Sequence, residues 1–372
     1  MYPRIPDHVQ TLSPYVPGKP IEETQREFKL KKVIKLASNE NPLGPSPKAL
    51  AAYKAAAKSL NLYPDASAFE LKQSLSKLLK LPAEWFLIGN GSNEIMDLLM
   101  RAYYEPGDSM VTSQAAFVAY QVCAHVLGVK PIETPMTPDF RFDLKAMLEQ
   151  IHQDDSVKYV FIANPNNPTG TWVTEEELDY FMQEVAKIRG GSVIVALDYA
   201  YWEYVTDRRI PDPMKYLKLY SNVVILRTFS KIYGIAGLRL GYAMARPELL
   251  APVQKVRQPF NVSLPALAAA KAALTDKAFV KRAQTLNQQG LKFWMTGLRK
   301  LGIPFLPSQG NFLLVNVKEG LGLSGGEVFI MGLKKGVIFR PVTNYGLPGF
   351  LRISMGTMAE NKMALKVLQG MR

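Results

Sequence analysis

The stretch KYVFIANPNNPTGTWVTEEELDYFMQEVAKIRGGSVIVALDYAY, residues 158–201, decides the fold class. Its segments 158–163 and 193–197 are short and almost wholly apolar, which is typical of strands buried on both faces. Between them, Thr174 is followed three residues later by Glu177, a capping box that predicts a helix over 174–189. The order strand, helix, strand predicts a βαβ unit with a parallel pair of strands.

The same alternation extends outward along the chain. Apolar segments at 85–88, 109–112 and 223–227 predict further strands, and helical patterns occur at 92–104 and 115–127. We therefore expect an α/β fold, with a large domain whose mostly parallel sheet is covered by helices.

The pattern changes after residue 262. A helix expected over 265–300 is followed by short strands and helices, which predicts a smaller α+β domain. The predicted division is an N-terminal arm, 1–35, that joins the small domain, a large domain, 36–262, and a C-terminal small domain, 263–372.

Composition limits the classes of protein. The 372 residues carry 45 Lys and Arg against 32 Asp and Glu, a net charge of +13. A single cysteine, Cys123, excludes an internal disulfide and suits a reducing compartment. No run approaches the roughly 18–20 apolar residues of a membrane span, and the first residues do not form a signal peptide. We expect a cytoplasmic protein without a membrane partner.

The basic surplus is uneven. From residue 271 onward there are 15 Lys and Arg against four Asp and Glu. These cations come singly or in pairs, and no nucleic-acid-binding motif accompanies them. We expect no nucleic-acid partner, although a nucleic-acid-binding protein stays as a distant alternative.

Other chemical classes lack their motifs. The three histidines lie too far apart in sequence to suggest a metal site, and there is no P-loop. Gly89-Asn-Gly91 follows an apolar strand and precedes a helix, a context in which backbone N–H groups bind phosphate. Glu94 stands where a dinucleotide fold needs its third glycine. A cradle for a single phosphate is the sharper interpretation, and an NAD-dependent oxidoreductase stays as an alternative from a different class.

Polar residues follow the carboxyl ends of several predicted strands. The segment NPNNPTG, 164–170, follows one strand, Asp198 ends the next, and Lys231 closes the segment TFSK after a third. Arg239 follows within a glycine-rich segment. Each residue has an ordinary structural interpretation: a helix cap for Asp198, a surface lysine for Lys231 and a salt-bridge partner for Arg239. Because ligands bind beyond the carboxyl ends of parallel strands, we expect the three around one crevice.

Together these segments resemble the fold-type I pyridoxal-phosphate aminotransferases. The likeness rests on NPNNPTG at 164–170, DYAY at 198–201 and SKIYGIAGLRLGY at 230–242, and it extends over nearly the whole chain. It implies pyridoxal 5′-phosphate as cofactor, with Lys231 as the Schiff-base lysine and proton shuttle and Asp198 as partner of the pyridine nitrogen. The other cofactor contacts that it implies are Ser92, Asn93, Thr228, Ser230 and Arg239 at the phosphate, Asn167 and the catalytic Tyr201 at the ring hydroxyl, and Phe117 stacked on the ring.

The resemblance also implies a homodimer. In this family Tyr63, within NLYP at 61–64, would reach the phosphate of the cofactor in the neighbouring subunit. One departure concerns Phe117, because the preceding residues 112–116 lack the proline often found before the stacking aromatic.

Two N-terminal segments bear on the substrate. LSPYVPGKP at 12–20 and LASNENPLG at 36–44 resemble the histidinol-phosphate branch of the family. Arg352 matches the arginine that binds an α-carboxylate, and Arg340 and Tyr15 are candidates to bind the far end of a phosphorylated substrate.

The activity that the resemblance implies is exchange of an amino group between glutamate or 2-oxoglutarate and histidinol phosphate or imidazole-acetol phosphate, in histidine biosynthesis. An aromatic or broad-specificity aminotransferase and a phosphothreonine decarboxylase share the fold and stay open as alternatives.

Overall fold

The computed structural model describes residues 3–12 and 18–372. Its strands, numbered in chain order, are β1 Ile34–Lys35, β2 Phe86–Gly89, β3 Ser109–Ser113, β4 Lys130–Thr134, β5 Val157–Ala163, β6 Ile194–Asp198, β7 Val223–Thr228, β8 Gly241–Met244, β9 Phe312–Asn316, β10 Val337–Ile338, β11 Arg340–Pro341 and β12 Phe350–Ser354.

The α-helices are α1 Asp7–Gln10, α2 Ile21–Phe28, α3 Pro47–Ala56, α4 Phe69–Leu79, α5 Ser92–Tyr103, α6 Ala119–Leu127, α7 Leu144–Gln153, α8 Glu175–Lys187, α9 Pro213–Leu219, α10 Pro247–Val256, α11 Leu264–Leu274, α12 Lys277–Lys300, α13 Val317–Leu321, α14 Gly325–Lys334 and α15 Met358–Gln369. None of these helices is both long enough and apolar enough to span a membrane.

Seven strands form the main sheet in the order β2-β8-β7-β6-β5-β3-β4. The strands from β7 to β4 pair in parallel, whereas β8 runs antiparallel to both β2 and β7. The predicted α/β class with a mostly parallel sheet is confirmed. Strand β4 was not predicted, because this edge strand is only partly buried and lacks an apolar run.

Register brings the ends of the central strands together. Ala163 at the end of β5 pairs with Asp198 at the end of β6, and Asp198 pairs with Leu226 near the end of β7. The three strands are almost fully buried, as their apolar sequences predicted. The chain therefore leaves all three at one edge of the sheet.

The C-terminal part builds a second, smaller core. Strands β11, β12 and β9 form an antiparallel sheet, and β1 pairs in parallel with β10. Trp294 of α12 packs in this core with Leu313 and Leu351. The helix α2 contributes Ile21 and Phe28 to a neighbouring cluster around Leu333.

The helix expected over 265–300 is two helices, a correction to the prediction. Asp276 lies between α11 and α12, where its carboxylate accepts hydrogen bonds from Phe279 N at 3.2 Å and from Ser46 Oγ at 2.6 Å. Ala266 and Ala270 of α11 belong to the core of the main sheet. The predicted domain boundaries stay a prediction, although this packing favours a boundary beyond residue 274.

The sequence also predicts a helix over 67–80 with Ser67 as its cap, and this prediction needs a correction. The helix α4 begins at Phe69, and Asp65 supplies the cap: its Oδ2 accepts from Phe69 N at 2.8 Å, and its Oδ1 accepts from Ser67 Oγ at 2.7 Å. An ionised carboxylate accepts more strongly than a hydroxyl, so Ser67 acts as a donor here.

Candidate active site

A cavity of about 420 Å³ lies where β5, β6 and β7 end and the small sheet closes over them. This is the edge at which ligands bind in parallel sheets. The structure brings twelve of the predicted site residues to the wall of this one cavity: Ser92, Asn93, Phe117, Asn167, Asp198, Tyr201, Thr228, Ser230, Lys231, Arg239, Arg340 and Arg352.

Lys231 projects into the cavity from the segment after β7. Its Nζ lies 5.6 Å from the centre of the Tyr201 ring and 3.5 Å from the carbonyl oxygen of Ser38. Burial, together with repulsion from the cation of Arg352, lowers the pKa of the Lys231 amine from 10.5 to about 8. Lys231 is therefore available as a neutral nucleophile near physiological pH.

Asp198 ends β6 and also lines the cavity. Its Oδ2 accepts a hydrogen bond from Tyr120 Oη at 2.8 Å, and its Oδ1 accepts one from Ala200 N at 3.0 Å. Burial raises the pKa of this carboxyl, while the hydrogen bond from Tyr120 opposes that rise. Tyr120 was not among the predicted site residues, because its only signal was its place three residues after Phe117.

A cradle with several backbone and side-chain donors forms at the start of α5. Gly91 has φ +81°, and a Cβ added there would lie 2.7 Å from Arg239 Nη2. A Cβ on Gly241 would lie 2.6 Å from Ser92 N. Arg239 Nη1 contacts Ser230 Oγ at 3.4 Å. Free N–H groups at a helix start, a guanidinium and hydroxyls form a site suited to a phosphate.

Glu94 has a structural role that explains why a third glycine is missing. Its Oε2 accepts hydrogen bonds from Asn90 N at 2.5 Å and from Asn261 Nδ2 at 2.6 Å. The carboxylate thus fixes the turn before α5, and it occupies the position where a dinucleotide fold needs close helix–sheet packing.

Arg352 crosses from the small sheet to the end of β5. Its Nη1 donates to Asn167 Oδ1 and its Nη2 donates to the carbonyl oxygen of Ala37. The guanidinium also lies 5.6 Å from the centre of the Phe312 ring. Arg352 is only 6% exposed, so these acceptors hold a buried cation at the cavity wall.

Phe117 lies beside Asp198's partner Tyr120, with the two rings edge to face at 5.7 Å between centroids. Its position in the cavity wall fits a ring-stacking role despite the missing proline.

Of the two remaining predicted residues, the structure describes only Tyr63. Tyr63 does not line the cavity; it is 81% exposed and stacks on Phe260 at 4.7 Å between ring centroids. Tyr15 lies outside the described residues.

Asn39 is a second site residue that was not predicted from the sequence. This residue lines the cavity and donates from Nδ2 to Tyr201 Oη at 2.9 Å. The motif LASNENPLG contained it, but nothing in the sequence indicated a contact with a tyrosine 162 positions later.

Comparison with known proteins agrees with this geometry. Residues 31–368 match the family model described as aminotransferase class I and II. The chain is 47% identical to a histidinol-phosphate aminotransferase from Anaeromyxobacter sp. over 98% of both chains. It is 44% identical to that of Bdellovibrio bacteriovorus, over 98% of this chain and 97% of the relative.

Solved structures agree as well. The structure of histidinol-phosphate aminotransferase from Sinorhizobium meliloti in complex with pyridoxal-5′-phosphate superposes with a TM-score of 0.88 at 27% identity, over 100% of this chain and 99% of that one. A Thermus thermophilus aspartate aminotransferase mutant, at 19% identity and a TM-score of 0.85 over 100% of both chains, shares the fold. With a family model that spans most of its length and a cavity built as that family requires, the chain belongs to the class I and II aminotransferases.

Proposed function

We propose that this protein is a pyridoxal-phosphate-dependent histidinol-phosphate aminotransferase. It exchanges an amino group between glutamate or 2-oxoglutarate and histidinol phosphate or imidazole-acetol phosphate. The observation that carries the proposal is one cavity in which a lysine with a pKa near 8, a buried aspartate, a phosphate cradle and two arginines converge. Curated relatives that are 42–47% identical over nearly the whole chain carry this enzyme's name.

The cavity fits pyridoxal 5′-phosphate. The cradle at Gly91 and Arg239 has no room for an added Cβ, and its N–H groups and guanidinium suit a phosphate. Asp198 supplies a buried carboxylate for the pyridine nitrogen, and Asn167 and Tyr201 supply polar groups for the ring hydroxyl. The other residues in position to hold the cofactor are Ser92, Asn93, Phe117, Thr228, Ser230 and Lys231.

The cofactor, when bound, supplies an electron sink for negative charge on the substrate carbon. Lys231 would transfer the proton: its Nζ, largely neutral above pH 8, would accept a proton from the substrate α-carbon and return it to the C4′ carbon of the cofactor. Burial of the site and the nearby cation of Arg352 lower the pKa of this amine, so that it releases its proton more readily.

Asp198 and its hydrogen-bond partners keep a negative charge at the cavity wall. Tyr120 and the backbone N–H of Ala200 donate to the carboxylate and stabilise its ionised form against the cost of burial. An ionised Asp198 would hold the ring nitrogen of the cofactor in its protonated form, which would strengthen the electron sink.

Arg352 and Arg340 form the substrate end of the proposal. Arg352 would bind the α-carboxylate of glutamate through a two-point guanidinium contact, and Arg340 would bind the phosphate of histidinol phosphate. Tyr15, outside the described residues, is proposed to assist at the phosphate.

A homodimer completes the proposed site. The Tyr63 side chain is 81% exposed, which is unusual for an aromatic ring. Other exposed apolar side chains lie near it in sequence or in space: Leu60, Leu62, Phe69 and Phe260. A second copy that covers this surface would bring Tyr63 to the phosphate of its partner's cofactor. A cytoplasmic location is also proposed, on the grounds of the single cysteine.

The test is spectroscopic and kinetic. The purified protein is expected to be yellow, and borohydride is expected to fix the cofactor covalently to Lys231. A colourless protein that gains neither colour nor activity with added pyridoxal phosphate contradicts the proposal.

Rates with three substrates separate the alternatives. Comparable kcat/KM values for histidinol phosphate and phenylalanine would favour a broad-specificity aromatic aminotransferase, and release of CO₂ from phosphothreonine would favour a decarboxylase. A clear preference for histidinol phosphate supports the proposal.

A further inference from the structure

Asn39 is a buried junction between the small sheet and Tyr201. It is 1% exposed and has φ +54°, a left-handed conformation that asparagine tolerates better than most residues. Its backbone N–H donates to Ser354 Oγ at 2.9 Å, and its carbonyl oxygen accepts from Asn311 Nδ2 at 3.0 Å. These contacts fix the backbone, and the side chain lies between Ser354 and Tyr201.

The hydrogen bonds around Asn39 have a defined direction. A backbone N–H can only donate, so Ser354 Oγ must accept from Asn39 N and has its own hydrogen left to give. That hydrogen points to Asn39 Oδ1, 2.7 Å away. The amide of Asn39 is thereby oriented, with its Nδ2 facing Tyr201 Oη at 2.9 Å.

The reverse amide orientation is disfavoured. It would place the Nδ2 donor against Ser354 Oγ, which already accepts from Asn39 N, and would leave the buried Ser354 hydroxyl hydrogen without an acceptor among the contacts described for it. A buried donor without an acceptor is costly.

Tyr201 is the last member of this series. Its oxygen accepts from Asn39, so its own hydrogen must point elsewhere, and Tyr201 lines the cavity. Burial raises the pKa of Tyr201 to about 12, so the phenol keeps this hydrogen at physiological pH. The titratable or charged groups near Tyr201 are Asp198, Lys231, Arg352, Tyr120 and Tyr204.

We propose that Asn39 and Ser354 are positioning residues that hold Tyr201 as a hydrogen-bond donor to the ring hydroxyl oxygen of pyridoxal phosphate. The inference rests on the proposed function. A donor at that oxygen would stabilise its ionised form, and a proton would then bind less readily to Lys231 Nζ once that nitrogen is conjugated with the ring. The pH at which the visible absorption band of the bound cofactor changes is therefore set in part by a backbone N–H in the segment 36–44.

The experiment is a pH titration of the visible band in the holoenzyme. Ser354→Ala removes the hydroxyl that orients the amide, and we expect the midpoint to rise by about one pH unit, a tenfold change in proton affinity. Ser354→Thr keeps a hydroxyl, and we expect it to restore a midpoint close to that of the unaltered protein. Ser109→Ala, which removes a buried serine hydroxyl at the start of β3, outside the cavity wall, is the matched control and should leave the midpoint in place.

A Tyr201→Phe background separates positioning from general structural damage. If Ser354 acts through the phenol, Ser354→Ala shifts the midpoint in the unaltered protein and adds nothing in Tyr201→Phe. Asn39→Asp gives a second route, because its carboxylate would accept from Tyr201 and turn the hydrogen away from the cavity. Asn39→Asp also adds a negative charge, and the effect of that charge on the midpoint persists in the Tyr201→Phe background. The part of the midpoint shift that disappears in Tyr201→Phe therefore measures the effect of the direction of the phenol hydrogen bond.

Each outcome decides between two ideas. An unshifted midpoint in Ser354→Ala, or an equal shift with and without the Tyr201 hydroxyl, overturns the positioning role. Absence of any visible band in the unaltered protein overturns the proposed function and the inference with it. Thermal unfolding of the cofactor-free proteins is a further readout, in which Ser354→Ala and Ser109→Ala should lower Tm by similar amounts.

Discussion

Arg340 of β11 and Arg352 of β12 lie directly opposite each other on neighbouring antiparallel strands, and both line the active-site cavity. Opposed residues of such a pair project from the same face of the sheet, and like charges there repel. Arg352 is held by Asn167 and the carbonyl of Ala37. An anionic substrate bound between the two guanidiniums would relieve the repulsion. This would explain why two arginines lie opposite each other in the cavity wall.

The first prediction separates the two arginines by substrate. We expect Arg340→Ala to lower kcat/KM for histidinol phosphate about 10- to 100-fold, because a charge-assisted contact to phosphate contributes about 1.5–3 kcal/mol. The value for phenylalanine, which has no phosphate, should fall much less. Steady-state kinetics with both substrates is the measurement, with Arg282→Ala on the exposed face of α12 as control. Equal losses for both substrates would remove the role assigned to Arg340.

The second prediction concerns the pH dependence of cofactor capture. Because the pKa of Lys231 is lowered to about 8, the fraction of neutral amine rises about tenfold per pH unit below pH 8 and levels off above it. We expect the rate at which cofactor-free protein takes up pyridoxal phosphate to follow this curve, as measured by stopped-flow absorbance. Lys231→Ala should show no covalent adduct after borohydride. A rate that keeps rising to pH 10 would contradict the lowered pKa.

The shared location of Lys231 and Asp198 could be predicted because it depends on a local rule. Each residue follows an apolar strand, and the carboxyl ends of parallel strands meet at one edge, so sequence order alone placed them together. The family resemblance then supplied roles that no spacing could give.

Other parts of the site depend on packing across the chain. Tyr120 meets Asp198 over 78 positions, and Asn39 meets Tyr201 over 162. Tyrosine and asparagine occur in so many settings that nothing marked these two. The break at Asp276 was missed for a related reason: its carboxylate is fixed partly by Ser46, which lies 230 positions earlier.

The third prediction tests Tyr120. Tyr120→Phe removes the hydroxyl that donates to Asp198 Oδ2, and the loss of a donor to the charged form raises the pKa of the carboxyl further above its usual range. We expect the acid limb of the kcat/KM profile to move to higher pH by about one unit and the free energy of unfolding to fall by about 1 kcal/mol.

Tyr159→Phe is the matched control for Tyr120. Tyr159 is also fully buried, but its hydroxyl donates to the carbonyl of Met100, and it does not line the cavity. It should lower stability by a similar amount and leave the pH profile in place. If both variants move the acid limb equally, Tyr120 has no special relation to Asp198.

The fourth prediction tests whether each site is built from two subunits. Tyr63 is exposed on the surface of one chain and absent from that chain's own cavity wall, whereas Lys231 lies in the wall. We expect Tyr63→Ala to weaken the binding of pyridoxal phosphate and Lys231→Ala to abolish activity. In a mixed dimer, one site would combine both defects and the other would have Lys231 from one subunit and Tyr63 from its partner.

Mixing the two variants therefore has an arithmetical consequence. If subunits exchange freely at equal amounts, half of the dimers are mixed and each has one intact site, so about a quarter of the sites regain full function. The measurement is activity after subunit exchange at a cofactor concentration too low to saturate Tyr63→Ala, with each variant alone as control and sedimentation to follow the dimer. Recovery no greater than the average of the two separate variants would mean that Tyr63 serves its own chain or none, and would leave its exposed stack on Phe260 without an explanation.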